Sequence, residues 1–153
     1  MKTSNLVIAA VAGLCAASVC HAQTCEQPLP LGQEVFGTPI LGNTVTAVNS
    51  VPAVANGTIA TPGGDVVYRL HLSADMYPFS FELAPAAGTT GGMFLCRSCE
   101  APADCVAFAD ASSGDSVENM QIQGLDGWFY LIVDAMSGPG GLYHLGYNGP
   151  LQD

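Results

Sequence analysis

Basic side chains are almost absent from this sequence, which has three lysines and arginines against 13 aspartates and glutamates and a formal net charge of −10. Binding to a nucleic acid backbone depends on lysines and arginines that displace its counterions. Arg69 and Arg97 are the only basic residues after residue 22, so the sequence excludes nucleic acid as a partner. The same negative charge opposes binding to anionic membranes and favours encounter with cationic partners or metal ions.

Catalytic motifs are also missing. His71 and His144 are the only histidines after residue 22, and both fall at alternating positions of predicted strands, where a general base is unusual. The sequence contains no G-x-S-x-G elbow and no H-E-x-x-H helix. A glycosidase needs paired carboxylates in a cleft, which a small β-sandwich with short loops hardly forms. We therefore expect no enzymatic activity, and a small hydrolase is the weakest of the functions considered.

No apolar stretch reaches the roughly 20 residues that a membrane-spanning helix requires. Near the start, Lys2 precedes an apolar segment at residues 6–19, and small residues follow it, as in a secretory signal. We expect residues 1–22 to be a Sec signal peptide that is cleaved after Ala22. The mature protein is then secreted or periplasmic and has no transmembrane anchor.

Four cysteines remain after the predicted signal, namely Cys25, Cys96, Cys99 and Cys105. An even number in an exported protein favours two disulfides, and three pairings are possible. The Cys96-x-x-Cys99 spacing also occurs in thiol oxidoreductases and zinc sites. However, no helix begins there to lower a thiol pKa, and no second C-x-x-C pair follows. A bridge from Cys25 would close a loop of about 70–80 residues and stabilise the fold by about 4 kcal/mol.

Glycine and proline are frequent, with 18 and 10 residues, and helical periodicity is missing, so strands and turns are expected. The clearest alternation places Tyr68, Leu70 and Leu72 on one face of a strand and Arg69 and His71 on the other. A strand at 79–83 is predicted to pair with it as a hairpin. Further strands are predicted at 93–97, 106–109, 117–122, 128–133 and 142–147. The run at 128–133 is apolar on both faces and belongs at the centre of a sheet.

The roughly 130 residues after the signal fit one domain. Residues 23–64 are expected to form an N-terminal extension with edge strands at 35–36 and 44–48 and turns at 41–43 and 55–57. Residues 65–153 are expected to form the main β-sandwich, so that 23–153 fold together. Seven to nine short strands at this spacing indicate an all-β sandwich or barrel, and of the two the predicted fold class is the antiparallel β-sandwich.

Calcium is the cation best suited to this composition, because it takes several oxygen ligands from flexible loops. Asp110, Asp115 and Glu118 fall in one predicted loop and Asp134 begins another, which makes these four residues a weak candidate set of ligands. The alternative is that Asp110 and Asp134 cap turns by accepting backbone hydrogen bonds. No other cofactor is expected.

Aromatic side chains on a sheet face can stack on sugar rings or pack against proteins. Trp128 and Tyr130 share one face of their predicted strand, and we expect Trp128 to pack in the core. Tyr143 and Tyr147 lie near the end of the chain and are the better candidates for exposure. They are therefore the predicted ligand-binding residues.

Four segments of the second half together resemble the bacterial pre-peptidase C-terminal domain family. They are Gly-Gly-Asp-Val-Val-Tyr-Arg-Leu at 63–70, the cysteine cluster at 94–105, Gly-Trp-Phe-Tyr-Leu-Ile-Val-Asp at 127–134, and the glycine turn with Tyr143-x-Leu145. The resemblance covers about residues 65–147. It implies a jelly-roll-like β-sandwich of the kind appended to secreted peptidases as a non-catalytic module. It also implies that Cys99 pairs with Cys105 and Cys25 with Cys96.

Members of similar appearance bind insoluble polymers or assist secretion. Because the sequence holds no peptidase segment, we expect a standalone secreted member. The leading hypothesis is a non-catalytic binding module for an extracellular or periplasmic protein or polysaccharide. The alternative is a structural subunit that assembles with copies of itself on a surface or in a filament.

Overall fold

The computed structural model describes residues 23–32, 38–75, 78–100, 102–110, 116–138 and 140–149. The predicted signal peptide and the predicted strand at 35–36 lie outside these ranges. The described residues form eleven strands: β1 Leu29–Pro30, β2 Ile40–Asn43, β3 Ala53–Val54, β4 Ile59–Ala60, β5 Asp65–Leu72, β6 Phe79–Pro85, β7 Thr90–Cys96, β8 Cys105–Asp110, β9 Glu118–Ile122, β10 Gly127–Ser137 and β11 Leu142–Asn148. In these ranges no helix has the length and apolar character needed to cross a membrane.

Nine of these strands form two packed sheets. The five-stranded sheet has the order β1-β5-β10-β7-β8 and the four-stranded sheet the order β2-β11-β6-β9. Neighbouring strands are antiparallel, except that β1 runs parallel to β5. The predicted β-sandwich is therefore confirmed. Strand β10 lies at the centre of its sheet, as its apolar sequence predicts.

The main core fills the space between the two sheets. The alternation in β5 and β6 places every second side chain there, and the predicted inward faces of both strands are confirmed. The largest contributions come from buried aromatic and aliphatic residues, among them Leu70, Phe81, Leu83, Phe129, Leu131 and Leu145. Each fully buried side chain of this size contributes about 1.5–3 kcal/mol.

The predicted hairpin between β5 and β6 is wrong. Strand β5 pairs with β1 and β10, whereas β6 pairs with β11 and β9 in the other sheet. The two strands belong to sheets on opposite sides of the main core instead of lying side by side. Alternation identifies which face of a strand is buried, but it does not identify the strand that pairs with it.

A second core covers part of the outer face of the five-stranded sheet. Val67, Ile132 and Phe94 are register partners on three adjacent strands and point away from the main core. Val51 and Val54 pack on them and are completely buried. We call the chain between β2 and β5 the covering segment, because it forms a third layer over this part of the sheet.

Two local predictions in the N-terminal part are wrong and one is confirmed. The predicted turn at 41–43 is strand β2, which pairs with β11. The predicted strand at 44–48 is irregular: the chain turns at 45–46, where the N–H of Ala47 donates to the carbonyl oxygen of Thr44 at 3.2 Å. The turn at 55–57 is present, and its Asn56 and Gly57 have the expected positive φ of 57° and 83°.

Candidate functional site

Both disulfides lie beside the second core. Cys25 is bonded to Cys99, the long disulfide, and Cys96 is bonded to Cys105, the short disulfide. All four cysteines are therefore in disulfides, but the predicted pairing of Cys99 with Cys105 and Cys25 with Cys96 is wrong. The physical reason is register, because Cys96 and Cys105 are direct partners on the adjacent strands β7 and β8. Cys99 lies beyond the end of β7, where Cys25 reaches it.

The predicted ligand-binding tyrosines are buried. Tyr143 is 3% exposed and Tyr147 is 6% exposed, so their predicted exposure is wrong. The hydroxyl groups of Tyr143 and Tyr68 are hydrogen bonded at 2.9 Å, and Tyr147 donates to the carbonyl oxygen of Gly32 at 2.5 Å. Burial raises the pKa of Tyr143 and of Tyr68. The alternation within β11 is the sequence signal that places both tyrosines inward, together with Leu145.

The candidate calcium ligands lie on several strands. Asp110 ends β8, Glu118 begins β9 and Asp134 lies within β10, while Asp115 is outside the described residues. The expectation that Asp134 begins a loop is wrong, because β10 continues to Ser137. Burial, and then the charge of Asp110, raises the pKa of Glu118. Across the described ranges, no three His, Cys, Asp or Glu side chains are grouped so that they could hold a metal ion, and calcium binding stays a prediction.

A buried carboxyl pair, which the sequence analysis missed, lies under the covering segment. Asp65 and Asp134 are register partners on β5 and β10, and both are 0% exposed. One oxygen of Asp65 accepts hydrogen bonds from the backbone N–H groups of Ser50 and Val51, each at 2.6 Å. Asp65 therefore holds the covering segment against the sheet.

Asp134 is protonated at neutral pH. Burial, followed by the effect of the adjacent Asp65, raises the pKa of Asp134 to about 8. Burial also raises the pKa of Asp65. Two buried carboxyl groups on neighbouring strands do not both ionise easily, so Asp134 loses its proton only when the solution becomes alkaline.

An exposed aromatic surface lies on the uncovered part of the same sheet face. Trp128 is 51% exposed, and the guanidinium carbon of Arg69 lies 4.2 Å from its ring centroid. The His71 ring meets the Trp128 ring edge-on, with 5.0 Å between the centroids. Tyr130 is half-buried and is the register partner of Arg69. We call these four residues the aromatic surface.

The prediction that Trp128 packs in the core is wrong. Strand β10 is apolar on both faces, so its own sequence does not show which face is exposed. The register with β5 does, because Trp128 lies opposite His71, on the face that Arg69 and His71 mark as polar. The Arg69 guanidinium and the Trp128 ring therefore both remain accessible, at the end of the sheet that the covering segment leaves open.

An open groove of about 750 Å³ adjoins the aromatic surface. Tyr130 belongs to both, and the long disulfide forms part of the groove wall. Arg97, Glu26 and Glu100 line the groove and are the charged side chains there. The guanidinium carbon of Arg97 lies 5.4 Å from the ring centroid of Phe129. Because Phe129 belongs to the main core, the Arg97 guanidinium lies on that side of the sheet, whereas Arg69 and Trp128 lie on the outer side.

The two histidines do not form one site. His71 lies on β5 in the five-stranded sheet and His144 on β11 in the four-stranded sheet. His144 is exposed, and its register partners are Leu41 and Ala84. Because the two side chains lie on different sheets and face away from the main core, they cannot act on the same bond.

These observations define the class of the protein: an antiparallel β-sandwich with a third layer over one sheet, two disulfides and an exposed aromatic surface. The structure is similar to the crystal structure of the pre-peptidase C-terminal domain of a collagenase from Bacillus anthracis, with a TM-score of 0.51. The two are 17% identical, and the match covers 78% of this chain and 93% of that one. This likeness supports the fold that the sequence resemblance implied. No family model matches the sequence, and no curated protein matches it.

Proposed function

We propose that this chain is a secreted, non-catalytic binding module for an extracellular or periplasmic protein or polysaccharide. The aromatic surface is its binding site. The observation that carries the proposal is the 51% exposure of Trp128 on a sheet face, beside Arg69 and an open groove. A large ring is more often buried, and an exposed one at such a place is typical of ligand contact.

Export is supported by two features of the chain. The first 22 residues have the arrangement of a secretory signal. Two disulfides tie the second core and the groove together, and such bonds persist in oxidising compartments outside the cytoplasm. A module that works outside the cell gains from this covalent reinforcement of its binding face.

The binding proposal is tested by retention of the mature protein on insoluble peptidoglycan, chitin, cellulose and collagen. We expect retention on at least one of these polymers, and we expect Trp128→Ala to abolish it. Phe108→Ala is the matched control, because Phe108 is also an exposed aromatic residue, at 57%, but lies on the edge strand β8. Retention that Trp128→Ala leaves unchanged would contradict the assigned surface, and no retention on any polymer would contradict binding of these ligands.

A second function, self-assembly as a structural subunit, is favoured by the edge strand β8. This strand ends the five-stranded sheet and exposes Val106 and Phe108 by 38% and 57%. Edge strands with apolar side chains tend to pair with other chains. Sedimentation velocity over a wide concentration range tests this function. Concentration-dependent growth that Phe108→Lys abolishes would support it, and a monomer at every concentration would contradict it.

A further inference from the structure

A glycine interrupts the outer face of the four-stranded sheet at a place where the packing does not require one. Gly146 lies within β11, and the register with β6 runs past it without a bulge. Its φ lies outside the left-handed region. A Cβ at Gly42 would overlap the ring of Tyr143, whereas the atoms nearest to a Cβ at Gly146 lie 3.9 Å away. A glycine inside a strand weakens it, and one without a bulge or a close neighbour marks a place where a ligand approaches the backbone.

Gly146 lines a groove of about 330 Å³ on this face, which we call the glycine groove. Glu82 on β6 and Asn119 on β9 continue the row of Gly146 across the sheet as register partners. Asn148 and Ser80 are register partners in the next row. These four side chains also line the groove, and Glu82, Asn119 and Asn148 are exposed. The strand register thus surrounds the missing side chain with amide, hydroxyl and carboxylate groups.

The charge of the glycine groove excludes anionic ligands. Among the described residues that line it, none is basic, and Glu82 adds a carboxylate in a protein of net charge −10. Negatively charged groups are therefore repelled. Amide and hydroxyl side chains both donate and accept hydrogen bonds, and a carboxylate accepts them. This combination matches the hydroxyl groups of an uncharged sugar, which also donate and accept.

A peptide or protein fits the glycine groove less well. Ser80 and Glu82 lie on β6, which has a strand on each side, so a peptide cannot bind there by adding a strand to a free edge. The core of a protein interface is apolar and commonly aromatic. Tyr147, the aromatic residue among the described lining, belongs to the main core and is 6% exposed. Recognition in this groove therefore depends on polar side chains.

We infer that the glycine groove binds an uncharged oligosaccharide, with a sugar ring over Gly146 and its hydroxyl groups bonded to Glu82, Asn119 and Asn148. The groove lies on the four-stranded sheet, whereas the aromatic surface lies on the five-stranded sheet. The inference therefore goes beyond the proposed function and does not rest on the aromatic surface. Each site can be tested in a variant that lacks the other.

The test is calorimetry of the mature protein with short soluble fragments of cellulose, chitin, xylan, mannan and starch. We expect at least one fragment to bind, and Gly146→Val to weaken its binding at least about tenfold, because the new side chain occupies the place of the sugar ring. This variant should keep or raise the midpoint of denaturant unfolding, since a Cβ has space at Gly146 and a β-branched residue suits a strand. The matched control is Ala84→Val, which adds bulk to the same face of β6 outside the groove lining and should not change binding.

The polar lining is tested by two exposed positions that do not affect the core. Asn119→Ala and Asn148→Ala are each expected to weaken binding about fivefold, which is the effect of one lost hydrogen bond. These variants decide the question should Gly146→Val fail to fold. Unchanged binding in both of them would overturn the inference.

Charged probes test the ligand class. Oligogalacturonate is the anionic probe and spermine the cationic probe. We expect both to bind more weakly than the best uncharged fragment. Equal or tighter binding of either probe would overturn the inference, as would a failure of all five uncharged fragments to bind.

Trp128→Ala distinguishes this inference from the proposed function. The variant should leave oligosaccharide binding in the glycine groove unchanged. Binding that is lost in Trp128→Ala and kept in folded Gly146→Val would overturn the inference and would assign the sugar to the aromatic surface, so that the proposed binding module remains.

Discussion

At the scale of single residues, the Asp65–Asp134 pair makes the fold depend on a proton. Asp65 is the acceptor for two backbone groups of the covering segment, and Asp134 faces it from the central strand. If Asp134 loses its proton, two negative charges meet in a buried place. The attachment of the third layer therefore weakens as the solution becomes alkaline.

This pair predicts a pH dependence of stability with a definite sign. The pKa of Asp134 is about 8 in the folded protein and about 3.9 in an unfolded chain. The folded state thus binds a proton that the unfolded state lacks between these values. The contribution of this proton to stability is complete below about pH 4 and is lost as the pH rises through about 8.

We expect Asp134→Asn to flatten the decrease in unfolding free energy between pH 5 and pH 9, measured by denaturant titration. Asparagine keeps the size of the side chain and cannot ionise. Glu82→Gln, an exposed substitution on β6, serves as the control and should keep the wild-type slope. A slope unchanged in Asp134→Asn would contradict the raised pKa of Asp134.

Trp128 and Phe129 are adjacent in sequence but should differ sharply in their contribution to stability. Phe129 is 1% exposed in the main core, so Phe129→Ala is expected to cost about 3–5 kcal/mol. Trp128→Ala should cost less than about 1 kcal/mol, mainly through the lost contact with Arg69. Denaturant titration of both variants checks this, and a large loss in Trp128→Ala would argue that the ring is structural instead of ligand-binding.

At the scale of elements, alternation was sufficient to find the strands but not their partners. The seven strands predicted after residue 65 all exist, because alternation and short apolar runs are local signals that do not depend on the pairing partner. The hairpin, the disulfide pairing and the exposure of Trp128 were all predicted wrongly for one shared reason. Each depends on which strand lies beside which, and this is set by contacts between residues far apart in sequence.

The strands of the covering segment could not be predicted from alternation either. Its strands β3 and β4 have two residues each, too few for any periodicity to appear. Its packing depends on Val51 and Val54, which contact Val67, Phe94 and Ile132 in other parts of the sequence. The Asn56-Gly57 turn was predictable because its conformation is local.

The two disulfides predict different losses of stability when removed. The long disulfide joins residues 74 apart and the short one joins residues 9 apart. Loop entropy gives about 4.4 kcal/mol for the first and about 2.6 kcal/mol for the second. We expect the double variant Cys25→Ala with Cys99→Ala to lose more stability than Cys96→Ala with Cys105→Ala.

Peptide mapping of the unreduced protein is the independent check of the pairing. A peptide that contains Cys25 should remain linked to one that contains Cys99. Because Cys96 and Cys99 are close in sequence, the protein must be cleaved between them, for example after Arg97. Recovery of Cys25 linked to Cys96 would contradict the structure.

At the scale of the whole molecule, the distribution of charge and the position of the third layer together define the exposed sheet face. Acidic residues dominate the sequence, while the arginines are kept at the end of the sheet that the covering segment leaves open. The third layer thus determines which part of the sheet face is available to a ligand. The last prediction concerns domain organisation: this layer and the sandwich fold as one unit.

We expect residues 23–64 and 65–153 to unfold in one transition, because the covering segment completes the second core. Val51→Asp with Val54→Asp places carboxylates at two completely buried positions and should lower the unfolding free energy of the whole protein by at least about 3 kcal/mol. The matched control is Val45→Asp with Val48→Asp, two valines of the same segment that are 53% and 57% exposed, where a change within about 0.5 kcal/mol is expected. Calorimetry that shows an unaltered main transition in the buried-valine variant would mean that the sandwich is stable without its third layer.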